Sequence, residues 1–152
     1  MTKVNFRHAQ REDCEQLLEL MKQLAIFEDY ADQFSVTLDD LIDQGFSSET
    51  SNFTAIVAEQ GDQLLGYLVY YLIPFTYDLK PTLFIKELYV ARKARCKGVG
   101  KGIMNLTIED ARVKKCGRMK WDVLSDNTKA QIFYQNFGAT HDKKWQGYVL
   151  KL

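Results

Sequence analysis

Residues 84–103 constrain the fold more than any other stretch: Phe84-Ile-Lys-Glu-Leu-Tyr-Val90, then Ala91-Arg-Lys-Ala-Arg-Cys-Lys-Gly-Val-Gly-Lys-Gly102, then Ile103. Phe84 to Val90 is rich in apolar and β-branched residues and reads as a strand. Arg92, Lys93, Arg95, Lys97 and Lys101 crowd positive charge into the loop that follows. Gly98, Gly100 and Gly102 remove side chains, so main-chain N–H groups can approach a ligand. Helical spacing begins at Ile103, which puts the glycines at a helix N-terminus. Unpaired N–H donors and a partial positive charge there suit phosphate oxygens. The stretch therefore points to a ligand that carries a polyphosphate. On charge alone, a solvated flexible loop is an equally good reading.

Two nucleotide motifs fail on spacing. A P-loop needs a hydroxyl residue after its lysine, and Lys101 is followed by Gly102. The dinucleotide fingerprint needs a third glycine three places after the second. Gly98-x-Gly100-x-Gly102 does not supply it, although Asp122 lies near the position of a ribose-binding acid. The pattern that is present is Arg95-x-x-Gly98-x-Gly100.

With 152 residues, 46% apolar and 26% charged, the chain suits one soluble domain over 1–152 with a full core. It holds no apolar run long enough for a transmembrane helix, and its N-terminus lacks the apolar centre of a signal peptide. Cys14, Cys96 and Cys116 are odd in number and lack metal-ligand spacing; free thiols and a cytoplasmic location are expected. His8 and His141 are the only histidines, so no metal site is expected.

The net charge is zero, yet the charges are segregated. Gln23 to Leu79 contains no Lys or Arg but ten acids, among them Glu28, Asp29 and Asp32. Lys80 to Lys120 holds twelve Lys or Arg against Glu87, Glu109 and Asp110. Such a chain can hold an anionic ligand with one part and attract a cationic one with the other. Acids that only solvate helices and loops explain the first segment equally well.

Periodicity places a strand at Val4–Arg7 and a helix at Glu12–Phe27, with Cys14, Leu17, Leu18, Met21, Leu24 and Ala25 on its inner face. Thr37-x-x-Asp40 opens a second helix that stops at Gly45. Phe53–Gln60 and Leu64–Ile73 form a hairpin about Gly61-Asp62, with a bulge at Gly66. After the central strand, the helix from the glycine loop runs to about Gly117, on a stripe of Ile103, Met104, Thr107, Ile108 and Ala111. Lys120–Leu124 is a strand. Asn127-Thr128 opens a last helix that Gly138 ends. His141–Lys143 and Tyr148–Lys151 read as closing strands, and Trp121, Trp145 and Tyr148 as packing aromatics. The order β-α-α-β-β-β-α-β-α-β-β predicts an α/β (α+β) fold: a mixed, mostly antiparallel central sheet flanked by helices.

Arg95-x-x-Gly98-x-Gly100 resembles the pyrophosphate-binding segment of the GNAT N-acyltransferase superfamily. Leu88-Tyr89-Val90 is similar to the strand before it, and Asn127-x-x-Ala130-x-x-Phe133-Tyr134-x-x-x-Gly138 to the family's second signature. Arg7-x-Ala9 with Asp13 and the element order extend the resemblance over nearly the whole chain. Within that superfamily the chain is similar to the diamine (spermidine/spermine) and thialysine N-acetyltransferases, through Leu24-Ala25-x-Phe27-Glu28, Thr37-x-x-Asp40-Leu41-x-x-x-Gly45-Phe46 and Tyr67-x-x-Tyr70-Tyr71.

The resemblance implies acetyl transfer from acetyl-CoA to a primary amine of a small cationic substrate, by a homodimer; the mixed charge and the lack of base-stacking motifs argue against a nucleic-acid partner, and the lack of a long apolar run against a membrane one. It implies coenzyme contacts at Leu88, Tyr89, Val90, Arg95, Cys96, Lys97, Gly98, Val99, Gly100 and Lys101, and at Asn127, Thr128, Lys129, Ala130 and Tyr134. Tyr134 matches the acid that protonates the leaving thiolate. Glu87 is the candidate base, and Phe27, Glu28, Lys86 and Asp122 are candidates for the substrate side. Two departures stand out. Cys96 replaces the usual glycine after the loop arginine. Lys86 replaces the first of two adjacent acids in the diamine group, and strand alternation should turn it to the face opposite Glu87. A protein or peptide amine as acceptor, and a non-catalytic acyl-CoA-binding module, are the alternatives.

Overall fold

The computed structural model describes residues 2–47, 49 and 51–152. Two compact units are present, Met1–Trp121 and Asp122–Leu152. The first holds a five-stranded mixed sheet in sequence order: β1 (Asn5–His8), β2 (Thr54–Gln60), β3 (Gln63–Ile73), β4 (Thr82–Val90) and β5 (Arg118–Trp121). The first three pairings are antiparallel and β4–β5 is parallel. A parallel step needs a crossover, which α3 (Val99–Val113) supplies.

Helices cover both faces. On α1 (Cys14–Phe27), residues Cys14, Leu17, Leu20, Met21, Leu24 and Ala25 are buried; Leu20 joins the expected face, while Leu18 is only partly buried. Most of that face packs in one cluster with Ala55, Val57, Tyr67, Val69 and Tyr89 of the sheet. The second helix, α2 (Leu38–Gly45), begins at the expected capping box. Thr37 Oγ1 accepts from Asp40 N at 3.1 Å, and Thr37 N donates to Asp40 Oδ2 at 2.9 Å. Leu41 carries α2 into the same core.

Against β2, β3 and β4, α3 buries Ile103, Met104, Thr107 and Ala111. It ends at Val113 rather than near Gly117, because Lys115 takes a left-handed φ of 57° and Cys116 N returns to Ala111 O at 2.9 Å. Arg7 ties β1 to the turn before α1. Its Nη1 and Nη2 meet the two oxygens of Asp13 at 2.8 and 2.9 Å, and its Nε meets Glu59 at 3.0 Å.

The sheet contains two bulges. Ala58 faces Gly66 and Glu59 faces Leu64, so Leu65 is the extra residue, one place before the expected glycine. Gly66 is needed for contact instead: a Cβ there would lie 2.7 Å from Tyr89 O. On the other side of β3, Val69 faces Glu87 and Tyr70 faces Ile85, which leaves Lys86 as the extra residue of β4.

β5 begins two residues before the expected strand and stops at Trp121. Gly117 N bonds Pro81 O at 2.9 Å, so the chain is already beside β4 when Arg118 pairs with Thr82. No helix among the described residues is long and apolar enough to cross a membrane.

The second unit contains α4 (Thr128–Gln135). Asn127 Oδ1 accepts from Ala130 N at 3.1 Å and caps its start; Gly138, at φ 86°, follows its end. The expected strands at His141–Lys143 and Tyr148–Lys151 are not formed. Residues 140–152 are all exposed, so no buried face sets a register for a strand. Trp145 and Tyr148 are correspondingly exposed rather than packed, and Lys144 Nζ lies 5.1 Å over the Trp145 ring.

Candidate active site

The β4–β5 ladder stops at Ile85–Trp121. Glu87 to Val90 remain paired to β3 on one side, while β5 does not reach them on the other. An unpaired strand edge is a template for another extended chain. It leads directly into the cation-rich loop.

In that loop a short 3-10 turn, Arg92–Ala94, precedes Gly98, which caps α3 in the left-handed region at φ 79°. A Cβ on Gly98 would touch nothing within 4 Å, so the position needs glycine for its backbone angle. The first bond within the helix runs from Gly102 N to Gly98 O at 3.0 Å. The amides of Val99, Gly100 and Lys101 precede it and are the unpaired donors of the helix start. Gly102 does a different job from the one the spacing suggests: the Phe6 ring occupies the place of a Cβ there.

Cys96 is exposed and holds a φ of 61°, where a glycine is unstrained. Arg95 braces the loop. Its Nε donates to Val90 O at 2.9 Å, and its guanidinium lies 5.1 Å over the Phe27 ring and 5.4 Å over the Tyr89 ring. Phe27, at the end of α1, is thereby joined to the loop.

Beside the open edge lies a cluster of acids and phenols. Asp29 takes a left-handed φ of 61°, and Tyr30 N bonds Ala25 O at 2.8 Å, closing α1 between Glu28 and Tyr30. Glu87 has both oxygens engaged. Tyr67 Oη donates to Oε1 at 2.9 Å, and Lys86 Nζ donates to Oε2 at 2.9 Å. The opposite-face expectation for Lys86 and Glu87 is therefore wrong: the bulge cancels the alternation between the two residues.

Burial, then the charge of Glu87, pushes the Glu28 carboxyl above its ordinary value, and Lys86 opposes the shift. Burial, then Glu87 and Glu28, pushes the Tyr30 phenol up to about 12. The Tyr67 phenol is driven well above its usual value by burial first and Glu87 second. Both phenols are thus neutral donors at physiological pH.

The sequence profile of the acetyltransferase (GNAT) family matches residues 14–139. The chain belongs to that family. It is an acetyl-CoA-dependent N-acetyltransferase, as the resemblance implied. Thialysine N-epsilon-acetyltransferase of Sus scrofa is 30% identical over 159 residues, covering 97% of this chain and 92% of the relative. Spermidine/spermine N(1)-acetyltransferase-like protein 1 of Homo sapiens is 29% identical, over 95% of this chain and 21% of its own length. The likeness to the thialysine and polyamine group thus holds. An integron cassette protein from the mobile metagenome of V. cholerae superposes with a TM-score of 0.82 at 25% identity, over 99% of this chain and 93% of its own.

The first unit of this acetyltransferase brings together Phe27, Arg95 and Tyr89 in one stack, and Lys86, Glu87 and Tyr67 in one hydrogen-bonded group. Glu28 is half-buried and electrostatically coupled to Glu87. In the second unit Asp122 is exposed, and Thr128, Lys129 and Ala130 form the first turn of α4. Tyr134 is half-buried on α4, its ring 5.1 Å from that of Phe133. Sequence reasoning missed Tyr30 and the role of Tyr67. Only the hairpin register could have exposed Tyr67, and the bulge hides that register.

Proposed function

We propose that this enzyme transfers acetyl from acetyl-CoA to the primary amine of a small cationic substrate, the whole chain 1–152 acting as one domain. The observation that supports this best is the edge of β4 left unpaired after Ile85, running into the left-handed cap of α3. Main-chain groups of Leu88 to Val90 pair with the amides of pantetheine as an added strand would. Amides from Cys96 to Lys101 take the diphosphate, with Arg95 and Lys97 supplying charge. Thr128 to Ala130 add further contacts on the strength of the family signature, in a turn that Asn127 fixes by capping.

Acetyl-CoA supplies an acetyl group activated as a thioester. The acceptor arrives as an ammonium with a pKa of about 10.4 and must lose a proton to react. Glu87 takes that proton through water, while Glu28 orders the amine. The nitrogen lone pair then forms a bond to the carbonyl carbon, the C–S bond breaks, and its electron pair goes to sulfur. On the strength of the family signature, Tyr134 gives the sulfur a proton, and the second proton shed by the nitrogen as the amide forms restores the phenol. The sum is an amide, a free thiol and one proton released. Phe27 forms an apolar wall for the substrate's methylene chain. The family resemblance adds a homodimer, and the three unpaired cysteines are consistent with a cytoplasmic location.

The test is release of CoA thiol with spermidine, spermine, short diamines, thialysine and a lysine peptide as acceptors. Turnover with small amines well above the peptide supports the proposal. Acetyl-CoA binding without turnover on any of them would leave a binding module instead.

A further inference from the structure

The acetyl-transfer reading leaves open which small amine is preferred, and Lys86 bears on that choice. It is the extra residue of the β4 bulge, at the point where the strand loses its partner on β5. The bulge brings its ammonium to 2.9 Å from Glu87, yet its side chain is 59% exposed. An ammonium carries three donors, and Glu87 takes one of them.

Charge decides what fits beside it. Glu28 and Glu87 are the acids of the cluster, and Tyr30 and Tyr67 are neutral. With Lys86 the group totals one formal negative charge rather than two. A diamine or polyamine brings a second ammonium that has to compete with Lys86 for the carboxylates, at a like-charge penalty. An α,ω-diamino acid brings its own carboxylate, which Lys86 can pair, and its overall charge of plus one matches the cluster.

We propose that Lys86 is a specificity-determining residue that selects amine substrates carrying a carboxylate over bare diamines and polyamines. The proposal rests on the acetyl-transfer reading above and names the substrate class for that same site.

Two matched pairs isolate the carboxylate. Ornithine is putrescine with a carboxylate on the terminal carbon, and lysine bears the same relation to cadaverine. We would measure kcat/KM for all four, and for spermidine, on the wild type, Lys86→Gln and Lys86→Glu. The wild type should favour the amino acid of each pair by about twofold to fivefold, the upper range of one largely exposed charge pair. Lys86→Gln should bring the ratio near one, and Lys86→Glu should invert it. A wild type that prefers the diamines or spermidine, or a ratio unchanged in Lys86→Gln, overturns the proposal and leaves acetyl transfer intact. No transfer to any amine, despite bound acetyl-CoA, overturns both readings. Because the wild-type ratio is itself a readout, the test stands even if a variant folds poorly.

Discussion

Tyr67 on β3 holds Glu87 on β4: its phenolic O–H donates to Glu87 Oε1 across 2.9 Å. The ring is fully buried, and its hydroxyl reaches the carboxylate at the rim of the core. With Lys86 on the second oxygen, Glu87 is oriented by two donors from neighbouring positions of one hairpin. In the proposed mechanism, its alignment with an incoming amine is set before the substrate arrives.

Glu87→Gln should lower kcat/KM by roughly 10²-fold, the low end for loss of a general base. Tyr67→Phe should lower kcat by a smaller factor, since it frees the carboxylate without removing it. Steady-state kinetics of both variants check this. A near-normal kcat/KM in Glu87→Gln would move the base to another residue or to water.

Glu28 makes a stability prediction with a definite sign. Its folded-state pKa is raised, chiefly by burial and then by Glu87. A carboxyl raised in this way contributes stability below its unfolded value and loses it as pH rises through the folded value. Glu28→Gln should therefore melt at a higher temperature than wild type at pH 7–8, with the gain fading below about pH 4, near the unfolded value. The same variant should raise KM for cationic amines. Calorimetry across pH, beside steady-state kinetics, separates the two effects.

Tyr134→Phe should lower kcat by roughly 10²- to 10⁴-fold, the usual range for a positioned acid, with little change in the Kd for acetyl-CoA. Phenylalanine preserves the ring contact with Phe133. Single-turnover kinetics beside calorimetric binding would check this. A variant of near-normal kcat would relocate the acid.

Two loop residues with positive φ should respond in opposite directions. Cys96→Gly should raise stability by about 1 kcal/mol, because it relieves a β-carbon held at φ 61°. Gly98→Ala should lower it by about 1 kcal/mol and weaken coenzyme binding as the helix start shifts, although the added methyl would meet open space. Urea denaturation of both variants measures this.

The faces of α1 and α3 were legible in the sequence because each buries a single apolar stripe, and periodicity alone identifies such a stripe. The capping box at Thr37 and Asp40, and the turn at Gly61 with its φ of 62°, were legible because their chemistry is local. The pairing of Lys86 with Glu87 was not. A bulge adds one residue without marking the sequence, and two polar neighbours look the same with or without it. Tyr30 was hidden because the left-handed turn at Asp29, which has no glycine to announce it, sets its position. The apolar run Tyr148-Val149-Leu150 expressed strand propensity, but a strand also needs a partner, and partners are not written locally.

The most direct test of the central claim is an amide chemical-shift titration of the ¹⁵N-labelled protein with CoA. The account predicts that the largest changes fall on the backbone N–H groups of 96–101, with a second set at 88–90. Saturating changes confined to other parts of the chain, with these amides unmoved, would contradict it.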